Sequence, residues 1–108
     1  MTYEAHQSPE FGDAFAALPK AERQRVSEAV FGRLSIDPTH NTKLLAGKFA
    51  GLRSFRVGDY RVIVFIVEEV RQRGMDNKAS YLDCTGLPEK GLKLMFVGPR
   101  KNVYKWSP

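Results

Sequence analysis

The sequence predicts an α+β fold, in which an N-terminal strand and a helical hairpin are followed by further β strands. Between residues 8 and 35, apolar side chains recur at the spacing of amphipathic helices. From Leu52 onward they alternate with a period of two, as in strands. We expect one domain over residues 1–108, because 108 residues with 43% hydrophobic content provide one core.

The first segment is predicted to be a strand over residues 2–7, followed directly by a helix. Ser8, Pro9 and Glu10 are typical of a helix start. Serine caps the first turn, proline suits its φ angle, and a carboxylate complements the positive end of the helix dipole. The apolar positions that follow at helical spacing are Phe11, Ala14, Phe15 and Leu18.

A second helix is predicted over residues 20–35, and Asp37-Pro38 ends it because the residue before a proline disfavours helix. Its apolar stripe consists of Val26, Ala29, Val30 and Leu34. Pro19 separates the two helices and leaves almost no linker, so a helical hairpin is expected. Residues 38–51 are predicted to be a loop.

A β hairpin is the most sharply defined local pattern. Strands over residues 52–57 and 60–68 flank Gly58-Asp59, and glycine at the first turn position fits a type II′ turn. A two-residue turn fixes the register of the strands. The expected cross-strand pairs are Val57 with Tyr60, Arg56 with Arg61, Phe55 with Val62, and Ser54 with Ile63.

The C-terminal third gives a weaker pattern. Residues 71–91 are polar and interrupted by glycine and proline, which leaves open a short strand over residues 80–84 or a mobile loop. A last strand is predicted over residues 93–97 and is ended by Gly98-Pro99. A basic, aromatic tail follows it.

The hairpin register divides the side chains between two faces, because cross-strand partners share a face. The face predicted to receive the helices carries Phe55, Val57, Tyr60, Val62, Val64 and Ile66. The opposite face carries Leu52, Ser54, Arg56, Arg61, Ile63, Phe65 and Val67. Two arginines are therefore expected side by side, away from the helices.

Arg56 and Arg61 repel each other in this arrangement, by about a few tenths of a kcal/mol. Asp59 is the nearest carboxylate in the hairpin. Two interpretations stay open, a pair of solvated surface arginines or a phosphate clamp, for which the planar guanidinium fork is well suited. Tyr104 likewise has two interpretations. Either it is a tail aromatic that covers the core, or it lies together with Arg100 at the edge of the face that carries the two arginines.

Composition narrows the classes of function. A net charge of +5 favours a polyanionic partner such as nucleic acid or an acidic protein. The absence of a long apolar run and of a secretion signal predicts a cytoplasmic protein without a membrane span. The lone Cys84 is expected to be a packing residue, and His6 and His40 to be surface or edge residues. We expect no metal ion and no cofactor.

Three segments resemble the characteristic stretches of the RelE/ParE toxin superfamily. They are residues 45–52, LAGKFAGL, residues 52–63, LRSFRVGDYRVI, and residues 97–104, VGPRKNVY. The resemblance covers most of the chain except about residues 71–92. It implies a small fold with helices on one side of a mostly antiparallel sheet. In the RNase members of the superfamily, the concave opposite face holds the active site.

The resemblance also implies a type II toxin that cleaves mRNA on the ribosome without a metal ion. The ribose 2′-OH attacks the adjacent phosphorus and the 5′-oxygen leaves. By position, Arg61 resembles the arginine that stabilises the charged transition state, and Arg56 resembles a basic residue of the preceding strand. Arg100 resembles the residue that aids the leaving group. Tyr104 resembles the tail tyrosine that orients or activates the 2′-OH, or stacks on a base.

Ser54 departs from the family pattern, because many RNase members place a basic residue at this point of the strand. A general base is therefore missing from that position. Lys48, Arg53 and Lys101 are the remaining candidates for RNA-binding charge near the site.

Two other functions compete with the RNase interpretation. One is a ParE-like protein that inhibits DNA gyrase by binding, and the other is an inactive toxin homologue that acts with an antitoxin as a co-repressor. The presence of the three arginines together with the tail tyrosine favours the RNase. Every version predicts a cognate antitoxin, acidic in character, in a hetero-oligomer with this chain.

Overall fold

The α+β fold is confirmed in a computed structural model that describes residues 2–76 and 78–108. Its helices are α1 (Pro9–Ala16), α2 (Lys20–Ala29), α3 (Pro38–Asn41), α4 (Val67–Gln72) and α5 (Arg100–Val103). Its strands are β1 (Glu4–Gln7), β2 (Thr42–Leu44), β3 (Arg53–Val57), β4 (Tyr60–Ile66) and β5 (Gly91–Pro99). The strands form one mixed sheet in the order β1-β5-β4-β3-β2, in which β1 runs parallel to β5 and the other neighbours are antiparallel. In the described part of the chain, no helix is long and apolar enough to cross a membrane.

One buried serine joins the start of α1 to the sheet. The Ser8 hydroxyl accepts a hydrogen bond from the Phe11 N–H at 3.0 Å, which confirms it as the predicted cap. The same hydroxyl donates to the Met95 carbonyl at 3.0 Å. Met95 lies where the β4–β5 register shifts between Ile63 and Val64, and a bulge disrupts the ladder at such a point. Ser8 therefore supplies a partner at the irregular position of β5.

The helical hairpin packs on one face of the sheet, as predicted. The predicted second helix is present as α2 followed by a π turn over Val30–Leu34. The apolar core on this face contains Phe11, Leu18, Val26, Ala29, Val30, Leu34, Phe55, Val57, Val62, Val64, Ile66, Leu92, Leu94 and Val97, with Tyr60 packed against it. All six side chains predicted to face the helices are therefore in contact with this core.

The β3–β4 hairpin has the predicted register. The observed pairs are Val57 with Tyr60, Arg56 with Arg61, Phe55 with Val62, and Ser54 with Ile63. Gly58 takes a φ of +59°, which both primed hairpin turns require at their first central position and which L side chains rarely adopt. The arginine pair therefore lies on the face away from α1 and α2.

Two predicted strand ends are wrong. β4 stops at Ile66, and the next residues form α4 because Val67 and Val70 turn their side chains into a second core. β5 continues through Gly98 and Pro99 instead of ending before them. The end of β5 has only β4 as a neighbour, so Pro99 lies at a sheet edge, where its missing N–H is tolerated.

Two segments predicted without regular structure contain short elements. Residues 38–51 hold α3, the edge strand β2 and a 3₁₀ turn, Gly47–Phe49. Within residues 71–91 there is a 3₁₀ turn, Ser80–Leu82, instead of a strand, and residue 77 lies outside the described residues. Cys84 is buried with Leu82, as expected of a packing residue, and burial raises the pKa of its thiol.

A second apolar core covers part of the opposite sheet face, which the sequence did not predict. It contains Phe49, Leu52, Ile63, Phe65, Val67, Val70, Leu82, Cys84, Met95 and Val103. Its side chains come from β4 and β5, from α4 and α5, and from the segments between β2 and β3 and between α4 and β5. The end of this face that carries the arginine pair lies outside this core.

Arg53, which was predicted to be one of the RNA-binding residues, lies inside the structure and is paired with a carboxylate. Its side chain is 9% exposed, and its Nε and Nη2 donate to the two carboxylate oxygens of Glu69 at 2.8 and 2.6 Å. Its Nη1 also donates to the Thr42 hydroxyl at 3.3 Å. The Glu69 carboxylate raises the pKa of Arg53. This guanidinium ties β2, β3 and α4 together.

We expect Arg53→Ala to lower the free energy of unfolding by about 3 kcal/mol, because it leaves a mostly buried carboxylate without its partner. Urea denaturation measures this loss. Arg73→Ala is the matched control, since Arg73 lies 3.7 Å from the same carboxylate but its side chain is 50% exposed. The control should cost less than about 1 kcal/mol. Equal losses in the two variants would contradict a structural role for the Arg53–Glu69 pair.

Candidate functional site

A cleft of about 390 Å³ lies over the uncovered end of the sheet. We call it the arginine cleft, and its lining residues are His40, Asn41, Thr42, Lys43, Ser54, Arg56, Arg61, Arg100 and Tyr104. All four residues predicted to be catalytic lie in this lining. Among the described residues, the lining holds four arginine or lysine side chains and no carboxylate. The cleft is therefore suited to an anion.

The strand register sets the arrangement of the charges. One cross-strand row consists of Arg56, Arg61 and Gly98. Gly98 has no side chain, and a Cβ at this position would lie 3.3 Å from the Phe96 ring, so this row carries only the two arginine side chains. The neighbouring row begins with Lys43 and Ser54. The adjacent strands β2, β3 and β4 therefore each contribute one positively charged side chain to the arginine cleft.

The two hairpin arginines have no acidic partner in the part of the chain that the structure describes. Arg61 instead donates from Nη1 to the carbonyls of Gly58 and Tyr60 at 3.1 and 3.0 Å. These bonds use one nitrogen, so Nε and Nη2 keep N–H groups for a ligand. Arg56 is exposed. Their repulsion is thus not relieved by a carboxylate, which favours a bound anion.

Arg100 is held beside the hairpin by its own backbone. Its N–H donates to the Asp59 carbonyl at 2.8 Å, so α5 starts against the β3–β4 turn. A second cleft of about 610 Å³ adjoins the first and is lined by Asp59, Pro99, Arg100, Lys101 and Tyr104. Lys101 therefore lies at the flank of the arginine cleft and not within it.

Tyr104 connects the tail to the sheet. Its hydroxyl lies 3.0 Å from the Ser54 hydroxyl, and its ring meets Phe49 edge to face at 5.9 Å. The residue remains 40% exposed. Both interpretations of this tyrosine therefore apply, because one side of it contacts the second core and its hydroxyl lines the cleft.

Aromatic stacking holds the tail in place. Trp106 stacks on Phe96 at 5.1 Å and on Phe49 at 6.3 Å, and its ring N–H donates to Glu10 of α1 at 2.8 Å. The Lys48 ammonium lies over the same Phe49 ring and donates to Ser107 at 3.3 Å. Lys48 is thus a tail contact and does not line the arginine cleft.

Two ionisable residues of the lining, Lys43 and His40, were not predicted to be site residues. Lys43 faces Ser54 across the β2–β3 pair, so it brings positive charge next to the serine that replaces the expected basic residue. The sequence does not indicate that Lys43 is a site residue, because β2 is only three residues long and gives no alternating pattern. His40 is exposed, as predicted, but it also lines the cleft. Asp37-Pro38, which ends the preceding helix, also has the residue types of a helix start, and this is the sequence signal that could have indicated α3 and His40.

His40 forms a pair with the residue that caps α3. Its Nδ1 lies 2.8 Å from Asp37 Oδ2, while Asp37 Oδ1 accepts from its backbone N–H at 3.3 Å. The hydrogen bond from His40 lowers the pKa of Asp37. The other histidine, His6, is on β1 at the far edge of the sheet, 2.9 Å from Glu4. Within residues 2–76 and 78–108, no three His, Cys, Asp or Glu side chains are placed to hold a metal ion.

Solved structures with a similar fold include three toxin–antitoxin complexes. The chain is similar to a chain of the RelBE2 complex of Mycobacterium tuberculosis, with a TM-score of 0.70, 23% identity and coverage of 93% of each chain. It is also similar to a chain of the RelE–RelB complex of Pyrococcus horikoshii OT3, with a TM-score of 0.59, 26% identity and coverage of 93% and 97%. For the RelB–RelE complex of Methanococcus jannaschii the values are 0.55, 17%, 94% and 98%.

No protein-family profile matches the sequence, and no curated protein matches it. The structural similarity over nearly the whole chain shows that the chain has the fold of RelE-like toxins.

We expect Phe96→Ala to release the tail, because it removes the closest ring that stacks on Trp106. Stacked aromatic pairs contribute about 0.5–1.5 kcal/mol beyond their buried area. Trp106 is the single tryptophan, so its fluorescence should shift to longer wavelength. Amide exchange over residues 100–106 should also become faster. Phe31→Ala is the control, since Phe31 is 66% exposed on the helical hairpin and should change neither signal. An unchanged spectrum in Phe96→Ala would contradict this account of the tail.

Proposed function

We propose that this chain is the toxin of a type II toxin–antitoxin pair and that it cleaves mRNA on the ribosome. The observation that carries the proposal is the convergence of Arg56, Arg61, Arg100 and Tyr104 on one cleft whose described lining holds no carboxylate. A sheet surface used only for solubility has no need to gather like charges from separate segments, because doing so costs stability.

In the proposed reaction, the scissile phosphate occupies the arginine cleft. The 2′-OH attacks phosphorus, and the negative charge that builds up on the phosphoryl oxygens is stabilised by Arg61 and Arg56. Arg100 stabilises the leaving 5′-oxygen, and Tyr104 orients the 2′-OH with its hydroxyl. Fixed donors of this kind contribute about 3–4 kcal/mol each when they face the charge of a transition state.

The ribosome has a defined task in this proposal. The cleft is open to solvent and shallow, and Ser54 supplies no charge of its own. Much of the barrier to such a reaction is the cost of bringing the reacting atoms into line. A ribosome that presents the mRNA in a fixed conformation supplies this alignment, so the isolated protein is expected to cut free RNA slowly. The protein then acts in the cytoplasm, where mRNA is translated.

The proposed partner is an antitoxin that carries acidic side chains. The similar solved chains come from complexes with antitoxins named RelB. For this chain, an exposed cluster of arginine and lysine side chains favours a partner segment of negative charge. Such a segment lying across the arginine cleft would hold the toxin inactive in a hetero-oligomer.

We expect Arg61→Ala to abolish toxicity on induction and to slow cleavage of ribosome-bound mRNA by about 100- to 1000-fold, because one transition-state donor is lost. Sequencing of the 5′ ends of transcripts after induction measures this. Arg73→Ala is the control, because it removes the same charge from the C-cap of α4, outside the cleft lining.

Intact folding of both variants is checked by thermal denaturation. Full toxicity of a folded Arg61→Ala protein would overturn the proposed mechanism. Gyrase-linked DNA breaks with intact transcripts would favour the ParE-like alternative, and the absence of toxicity in the unaltered chain would favour a co-repressor.

A further inference from the structure

The arginine cleft contains one side chain suited to moving a proton at neutral pH. Lysine, arginine and tyrosine ordinarily hold their protons at this pH. Histidine is the side chain whose ordinary titration falls between pH 5 and 8. Of the residues that line the cleft in the described part of the chain, His40 alone is a histidine, aspartate or glutamate. The cleft therefore has many groups that stabilise charge and one that can accept a proton.

The geometry around His40 is that of an oriented base. Its Nδ1 lies 2.8 Å from an oxygen of the Asp37 carboxylate. A carboxylate in this position fixes the tautomer, because it holds the proton on Nδ1 and leaves Nε2 as an acceptor. Nε2 makes no hydrogen bond with the residues that the structure describes. Its free nitrogen is thus available to a ligand in the cleft.

The backbone that carries His40 is held in place by hydrogen bonds of the neighbouring residues. Asp37 caps α3 through the His40 backbone N–H, and Asn41 of the same helix donates to the Arg33 carbonyl at 3.1 Å. The next residues form β2, which pairs with β3. The imidazole is therefore carried by a short turn anchored at both ends.

We infer that His40 is the general base of this site and that Asp37 is its positioning residue. The inference rests on the proposed RNase function and supplies the base that Ser54 does not. His40 Nε2 takes the proton of the 2′-OH as the bond between the 2′-oxygen and phosphorus forms. The bond between phosphorus and the 5′-oxygen breaks, the 5′-oxygen takes a proton from water, and a 2′,3′-cyclic phosphate remains. The imidazolium then returns its proton to solvent.

The charged and titratable groups around this imidazole are the Asp37 carboxylate and the side chains that line the arginine cleft. Asp37 precedes α3 and pairs with the imidazole. The lining contributes Lys43 from β2, Arg56 from β3, Arg61 from β4, Arg100 from α5, and Tyr104 from the position after α5. The pH test must therefore separate the histidine from these groups. The variant His40→Gln makes this separation, because it removes the imidazole and leaves all of these groups in place.

The test is single-turnover cleavage of mRNA on programmed ribosomes, measured from pH 5 to 8. His40→Gln should cut about 100-fold more slowly than the unaltered chain and should lose the rise in rate with pH over this range, because general base catalysis contributes about this much. His6→Gln is the matched control, since it removes the chain's other histidine at the opposite sheet edge. It should keep both the rate and the pH profile.

Two further variants separate a catalytic from a structural role. His40→Ala should regain activity when free imidazole is added, which restores a base without restoring the side chain. Asp37→Asn should keep α3 folded, because asparagine caps helices as well as aspartate does. It should nevertheless cut more slowly than the unaltered chain, because the carboxylate that orients the imidazole is gone.

A His40→Gln protein that cuts as fast as His6→Gln, with the same pH profile, would overturn the inference and leave the proposed function intact. A loss of activity in His40→Ala that imidazole does not restore, with the pH profile unchanged, would also overturn it. Failure of the unaltered chain to cut mRNA on ribosomes would remove the proposed function, and the inference with it.

Discussion

The two-residue turn at Gly58-Asp59 is the constraint on which the site depends. It pairs Arg56 with Arg61 directly, and a slip of one strand by one residue would turn one of the two side chains toward the helices, because strand side chains alternate. The same turn also receives the tail, since the Asp59 carbonyl accepts from the Arg100 N–H. One local conformation thereby sets three arginines around the same space. The positive φ of Gly58 is what allows it.

The two faces of the sheet are covered to different extents, and the arginine cleft lies where the second core ends. One face is covered along its length by the helical hairpin. The other is covered by a smaller core that ends before the arginine row. Phe49, Phe96 and Trp106 belong to or pack against this smaller core, and they hold the tail that carries Tyr104. Packing energy from the covered part of the face thus positions side chains over the open part.

Neighbouring arginines of β3 show how burial separates structural from chemical roles. Arg53 is paired with Glu69 on two nitrogens and is almost inaccessible. Arg56, three residues further along the same strand, is exposed in a cleft without a carboxylate. Desolvating a guanidinium is costly unless an anion accompanies it. The first arginine has its anion within the protein, whereas the second is free to take one from a ligand.

The sequence by itself determined the helical hairpin, the β hairpin with its register, and the meeting of Arg56 and Arg61, because these follow from short-range periodicity and turn chemistry. The residues left the approach of Arg100 and Tyr104 to this pair open, and a resemblance favoured it. Only the tertiary structure decided that Arg53 is buried and that Lys43 and His40 border the cleft. These outcomes depend on the pairing of a three-residue edge strand and on the folding of α4 against the sheet. Contacts between segments distant in the chain leave no periodic pattern in it, so the sequence does not display them.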